Sequence, residues 1–203
     1  GLIVPIGRWV LREGCRQAQE IRERSTGPVA PTIGINLSVK QLFSADIVAD
    51  VAAAMSDARL EPTALTLEIT ESVMMTDTDL AVTRLEELHG LGPRLAMDDF
   101  GTGYSSLSYL SLFPLDVIKM DRSLLAAGAS PVTSGLATAV LGLGETFGLE
   151  VVAEGIEYAE QSNTLRELGC ETGQGFFFAR PMAPTQLLAY LDEHAGAAIP
   201  AGD

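Results

Sequence analysis

Five short apolar runs, each closing on a polar or charged residue and most of them separated by helical patterns, restrict this chain to few folds. They occupy residues 33–36, 65–68, 95–99, 117–121 and 151–154, and a sixth, 174–178, opens on its polar residue instead. Strands alternating with helices predict a parallel sheet whose faces are covered. Where such a sheet closes into an α/β barrel, the C-terminal strand ends converge on one mouth, where catalytic groups sit. That mouth would gather Asn36, Glu68, Asp98, Asp99, Lys119, Asp121 and Glu154. So many carboxylates do not suit an apolar pocket. They call for cations.

The pattern predicts strands over 33–37, 63–70, 94–100, 114–121, 149–154 and 173–178. It predicts helices over 5–24, 45–58, 76–88, 132–147, 159–168 and 184–195, with a short one ending at Leu112. Ser38 reads as a helix cap, as does Thr76 or Asp77, and Gly90 and Gly92 lie just past a helix end. Residues 1–195 read as one domain and 196–203 as a disordered tail. Six strands fall short of the eight in a closed barrel. The pattern starts in mid-cycle with a helix, which places the missing first strand or strands before Gly1.

With 27 acidic and 13 basic residues among 203, the net charge is −14. Duplex nucleic acid and anionic membranes are excluded as partners for the bulk surface. An anionic ligand can bind only where metal ions reverse the local field. Cys15 and Cys170 show no metal-ligand spacing and read as plain buried thiols in a reducing, cytoplasmic setting. No apolar run approaches the ~20 residues that span a bilayer. The apolar start, residues 1–6, lacks the basic region and cleavage site of a signal peptide. A chain beginning on Gly1 reads as a fragment or a processed product.

The segment Met97-Asp98-Asp99-Phe100-Gly101-Thr102-Gly103-Tyr104-Ser105-Ser106 is the most specific. Neighbours on a strand point to opposite faces, so both aspartates reach one site only where the strand ends and the backbone turns. Gly101 and Gly103 permit that turn. The alternative makes Asp98 and Asp99 turn residues or helix caps. Lys119 and Asp121 lie two apart on one strand face; the lysine either holds or deprotonates a water or forms a structural ion pair. Glu154, followed by Gly155, is a site carboxylate or an exposed strand end. Glu68 shares a face with Thr66 and Thr70, which fits a site or a solvated edge strand. His89 and His194 read as solvated, Gly142 and Gly144 as close helix packing, and Trp9 and Phe176 to Phe178 as core.

Together these segments resemble the EAL-domain family of cyclic di-GMP phosphodiesterases. The resemblance rests on Ile35-Asn36-Leu37-Ser38, Leu67-Glu68-Ile69-Thr70-Glu71-Ser72, Asp98-Asp99-Phe100-Gly101-Thr102-Gly103-Tyr104-Ser105-Ser106-Leu107, Lys119-Met120-Asp121, Ala153-Glu154-Gly155-Ile156-Glu157 and Gln174-Gly175-Phe176-Phe177-Phe178-Ala179-Arg180-Pro181. They follow the family's order over nearly the whole chain. The resemblance implies a modified TIM-like (β/α) barrel with one antiparallel strand, here without its first strand or strands. It also implies hydrolysis of cyclic di-GMP to the linear dinucleotide pGpG with two Mg²⁺ or Mn²⁺ ions.

Carried over by resemblance, Asn36, Glu68, Asp98, Asp99, Asp121 and Glu154 surround the two cations. Lys119 holds the attacking water, with Lys119 and Glu154 as the catalytic pair. Gln174 and Arg180 support the site or substrate. Glu71 anchors the loop Phe100, Gly101, Thr102, Gly103, Tyr104, Ser105 and Ser106, which links the site to the dimer interface. The implied partners are cyclic di-GMP, a second copy of the domain, and a fused sensor or cyclase domain. The Glu-Ala-Leu motif that names the family, with its nearby arginine, is absent, and in the family it lies upstream of a segment like Gly1 to Ile3. The expectation is therefore a truncated enzyme whose 203 residues alone bind metal and substrate weakly and turn over poorly.

Two other readings compete. One is a catalytically silent cyclic di-GMP receptor or dimerisation module, against which the retained acidic set and Lys119 count. The other is a barrel that abstracts a proton beside a carboxylate with one metal, as in the enolase superfamily, which the paired aspartates and Gly-Ser loop fit less well.

Overall fold

Helix α1 (Ile3–Arg24) opens a chain in which helices and strands then alternate. In order follow β1 (Ile33–Asn36), α2 (Val39–Leu42), α3 (Ile47–Ala58), β2 (Leu65–Thr70), α4 (Thr78–His89), β3 (Arg94–Phe100) and β4 (Val117–Met120). The series ends with α5 (Pro131–Phe147), β5 (Glu150–Ala153), α6 (Ala159–Glu167), β6 (Thr172–Gly173) and α7 (Pro184–Glu193). The structure is a computed structural model that describes residues 1–25, 27, 30–101, 110–125 and 131–194. Loop residues Thr102, Gly103, Tyr104, Ser105 and Ser106, most of the short helix expected up to Leu112, and the tail 196–203 lie outside these. The described residues fall into two compact units, Gly1–Leu95 with the segment from Met182, and Ala96–Pro181.

In the first unit α1 buries Gly7, Leu11, Cys15 and Ala18, one stripe at helical spacing, and packs on α3, β1, α2 and α7. Ser38 caps α2 in a capping box with Gln41. Asp77 caps α4 through the Leu80 N–H, at 3.1 Å. Strands β1 and β2 pair in parallel without irregularity, Ile33 beside Leu65 through Asn36 beside Glu68. Along β2 the period-two alternation is strict. Leu65, Leu67 and Ile69 are fully buried, and Thr66, Glu68 and Thr70 are half-buried on the other face.

In the second unit β3, β4, β5 and β6 pair in parallel in that order. All four residues of β4 are buried, as expected of a strand covered on both faces. Helix α5 packs on β4, β5 and the 3₁₀ turn Arg122–Leu125. Among the described residues no helix is long and apolar enough to cross a membrane.

Several expectations need correction. Trp9 is 65% exposed, with Ile6 and Leu2 beside it on the same face. It stands two residues, about 200°, from both Gly7 and Leu11, so the stripe that faces inward carries it outward. Phe176 is 50% exposed, and Phe177 and Phe178 are only half-buried. The sixth strand is Thr172–Gly173 and the chain turns through 175–178 instead of extending. Gly175 lies against the backbone of Ile156, where a Cβ would stand 2.1 Å from the carbonyl oxygen. A straight strand with side chains cannot make that approach. Gly144 packs on Val151 of β5, not on a helix, and Gly142 meets nothing. Cys15 is fully buried but Cys170 is half-buried. His89 and His194 are exposed, as expected.

Candidate metal centre

The centre begins with an irregularity in β3. Ala96 pairs with Val117 and Met97 with Ile118, but the next pair is Phe100 with Met120. Three steps along β3 match two along β4, which is a β-bulge. Asp99 absorbs it with φ of 56°, in the left-handed region that aspartate tolerates better than most residues. The usual alternation is thereby broken, and two consecutive carboxylates turn toward the same place. Asp98 is 9% exposed and Asp99 is exposed. The expectation that the strand must turn here holds, with Asp99 itself making the turn ahead of Gly101, whose φ is 100°.

The third carboxylate comes from beyond β5. The Glu154 N–H donates to the Met120 carbonyl at 3.0 Å, extending the β4–β5 ladder by one residue. One oxygen each from Asp98, Asp99 and Glu154 lie within 4.8 Å of one another. Between them in the sheet, β4 sends in Lys119, whose Nζ is 2.9 Å from Asp98 Oδ1 and 2.8 Å from Glu154 Oε1. Lys119 is 6% exposed. A buried ammonium is tolerated only where anions replace its hydration, and two carboxylates do so here.

The donor set fits a metal. Three carboxylate oxygens with no sulfur or imidazole suit a hard divalent cation, and this cluster can hold one.

Asp121 follows β4. Its N–H donates to the Phe100 carbonyl at 3.3 Å, and its carboxylate accepts the Ser123 N–H at 2.9 Å. Burial opposes its ionisation, but hydrogen bonds from Ser123 and Arg122 and the Arg122 charge prevail, holding the carboxyl below its usual range. Exposed Gln174 ties the strand ends through its backbone. Its N–H donates to Ala153 at 2.7 Å, and its carbonyl accepts from Ile156 at 3.1 Å. The Arg180 guanidinium lies 4.7 Å from the centroid of the exposed Phe176 ring, a cation–π contact.

In the first unit, Asn36 at the end of β1 stands beside Glu68, two residues before the end of β2. Asn36 is exposed and Glu68 half-buried. Gly34 makes room for Glu68: a Cβ there would lie 2.1 Å from Glu68 Oε1. That role escaped the sequence reading, although a glycine between two isoleucines of a strand already signals a close approach. Glu71 opens the 3₁₀ turn Glu71–Met75.

The EAL domain family matches residues 1–181. The chain belongs to that family. Among curated relatives, the Pseudomonas aeruginosa bifunctional diguanylate cyclase/cyclic di-GMP phosphodiesterase MucR is 43% identical over 93% of this chain and 27% of its own length. The Escherichia coli cyclic di-GMP phosphodiesterase PdeR is 35% identical over 90% of this chain and 27% of its own. The chain thus spans about a quarter of the length of each of these two relatives. Among solved structures, the PaMucR phosphodiesterase in its c-di-GMP complex superposes with a TM-score of 0.86 at 41% identity, covering 92% of this chain and 75% of that one. The EAL domain of Mycobacterium smegmatis DcpA gives 0.86 at 38% identity, covering 92% and 84%. The fold class is the TIM-like α/β fold of EAL domains, as expected from the sequence.

Proposed function

We propose that this EAL domain, residues 1–195, hydrolyses one phosphodiester bond of cyclic di-GMP to give linear pGpG at the centre formed by Asp98, Asp99 and Glu154. The observation that carries the reading is the convergence of those three carboxylates within 4.8 Å around a buried lysine. The phosphodiesterase relatives and the c-di-GMP complex of a chain 41% identical to this one support the substrate. At a net charge of −14 the chain as a whole disfavours an anionic dinucleotide, and bound cations would reverse the field at the centre.

Two Mg²⁺ or Mn²⁺ ions are the proposed cofactors, with Asp98, Asp99 and Glu154 among their ligands. The resemblance adds Asn36, Glu68 and Asp121 as further oxygen ligands. When bound, such ions acidify water and offset charge building on the phosphate and the leaving oxygen. The Lys119 ammonium donates hydrogen bonds, and from its place beside Asp98 and Glu154 it is suited to orient the attacking water. Gln174 and Arg180 are proposed to support the substrate, and Glu71 to anchor the loop 100–106. A homodimer, a fused sensor or cyclase domain, and a cytoplasmic setting complete the proposal.

The test is chromatography of cyclic di-GMP incubated with Mn²⁺ and a protein carrying these 203 residues. Linear product that disappears with a chelator is expected. Tight nucleotide binding with no product under any divalent ion would show a receptor instead.

A further inference from the structure

Lys119 occupies the place in which a cation is wanted. Its ammonium is within hydrogen-bond distance of two of the three converging carboxylates, Asp98 and Glu154, and the side chain is 8% exposed. Three carboxylates this close repel one another unless positive charge stands among them. The protein supplies that charge from β4, the strand between β3, which carries the two aspartates, and β5, which Glu154 follows.

We propose that Lys119 is an internal counter-ion that competes with the divalent metal for Asp98 and Glu154. Without metal it holds the acidic cluster together. As metal enters, the ammonium gives up part of its hold on these carboxylates and becomes available to other acceptors, such as a water or a phosphate oxygen. Metal uptake and release of the lysine are then one linked event, and each must weaken the other by the same factor. This inference rests on the metal-centre reading above.

Lys119→Met removes the charge and keeps the apolar stem. The variant is expected to melt at a lower temperature than the wild type without metal, and to gain more on adding Mn²⁺. Calorimetric titration with Mn²⁺ alone should give a Kd about tenfold lower than the wild type, the scale of ordinary coupling between sites. Equal or weaker Mn²⁺ binding by the variant would overturn the inference and leave the metal centre standing. Absence of Mn²⁺ binding to the wild type would overturn the metal centre itself.

If the variant does not fold, the wild type still decides the matter. Lys40 and Lys119 are the two lysines of the chain, and Lys40 is exposed. Protein labelled with ¹³C-lysine therefore gives two side-chain signals, one serving as an internal reference. On titration with Mg²⁺ the Lys119 signal should move in step with occupancy while the Lys40 signal stays. A Lys119 signal unmoved at saturation would refute the competition.

Discussion

The parallel pairs β1–β2 and β3–β4 place acidic side chains by opposite means. In β1–β2 the register never slips, so a given face receives one side chain in two, and Glu68 is the single carboxylate β2 contributes to its half-buried face. Room for it is made by Gly34, diagonal to it on β1. In β3–β4 the register slips once and Asp99 turns left-handed, so consecutive residues serve one centre. A regular ladder keeps its hydrogen bonds and limits the density of ligands. A bulge doubles that density and takes on backbone strain.

The contrast is most sharply tested by removing charge from the irregular side. Asp98→Asn and Glu154→Gln keep shape and should each lower cyclic di-GMP hydrolysis by at least about 100-fold, since even outer partners of metal ligands are worth tenfold to a hundredfold. Retained turnover in the chromatographic assay would disconnect the cluster from the chemistry.

Asp99→Gly separates strain from charge. It should also suppress hydrolysis. Strain worth about 1–3 kcal/mol is relieved against an entropy cost of about 0.5–1 kcal/mol; a net gain on the order of 1 kcal/mol raises Tm by about 2–4 °C. A lower Tm by calorimetry would mean that the left-handed aspartate costs nothing.

On the regular side, Gly34→Ala should shift stability by under about 1 kcal/mol, because the colliding group is the far end of the flexible Glu68 side chain rather than backbone. A large drop in Tm would show Glu68 held rigidly.

The thiols give the smallest effects. At pH 8 iodoacetamide should label half-buried Cys170 slowly and fully buried Cys15 only after unfolding, as read by mass spectrometry. Burial pushes the Cys15 thiol up from 9.0 to about 11. Its contribution to stability is therefore complete below pH 9 and declines between pH 9 and 11, where the unfolded chain ionises first. Denaturation midpoints across that interval in the wild type and Cys15→Ala check the sign.

Much of this was legible in the chain itself. The alternation of residues 65–70 shows its inward face directly, and two neighbouring aspartates at the end of an apolar run require a break in the strand. Local pattern does not show which residue makes the break, and Asp99 rather than a glycine does so. The brief sixth strand was hidden because its cause, the backbone of Ile156 against Gly175, joins residues far apart in sequence. Trp9 was misread because hydrophobicity marks a residue without marking its angle around a helix. The role of Gly34 became clear only once register set it opposite Thr66, one step from Glu68 along the same face.

Two of the three converging oxygens hang from adjacent α-carbons, about 3.8 Å apart whatever the sheet does. Swelling or cooling of the fold can alter chiefly their span to the glutamate, measured across the width of β4. For a metal held there, that span would set the fit to ionic radius, and a substitution that thickens β4 would be expected to retune it without touching a ligand.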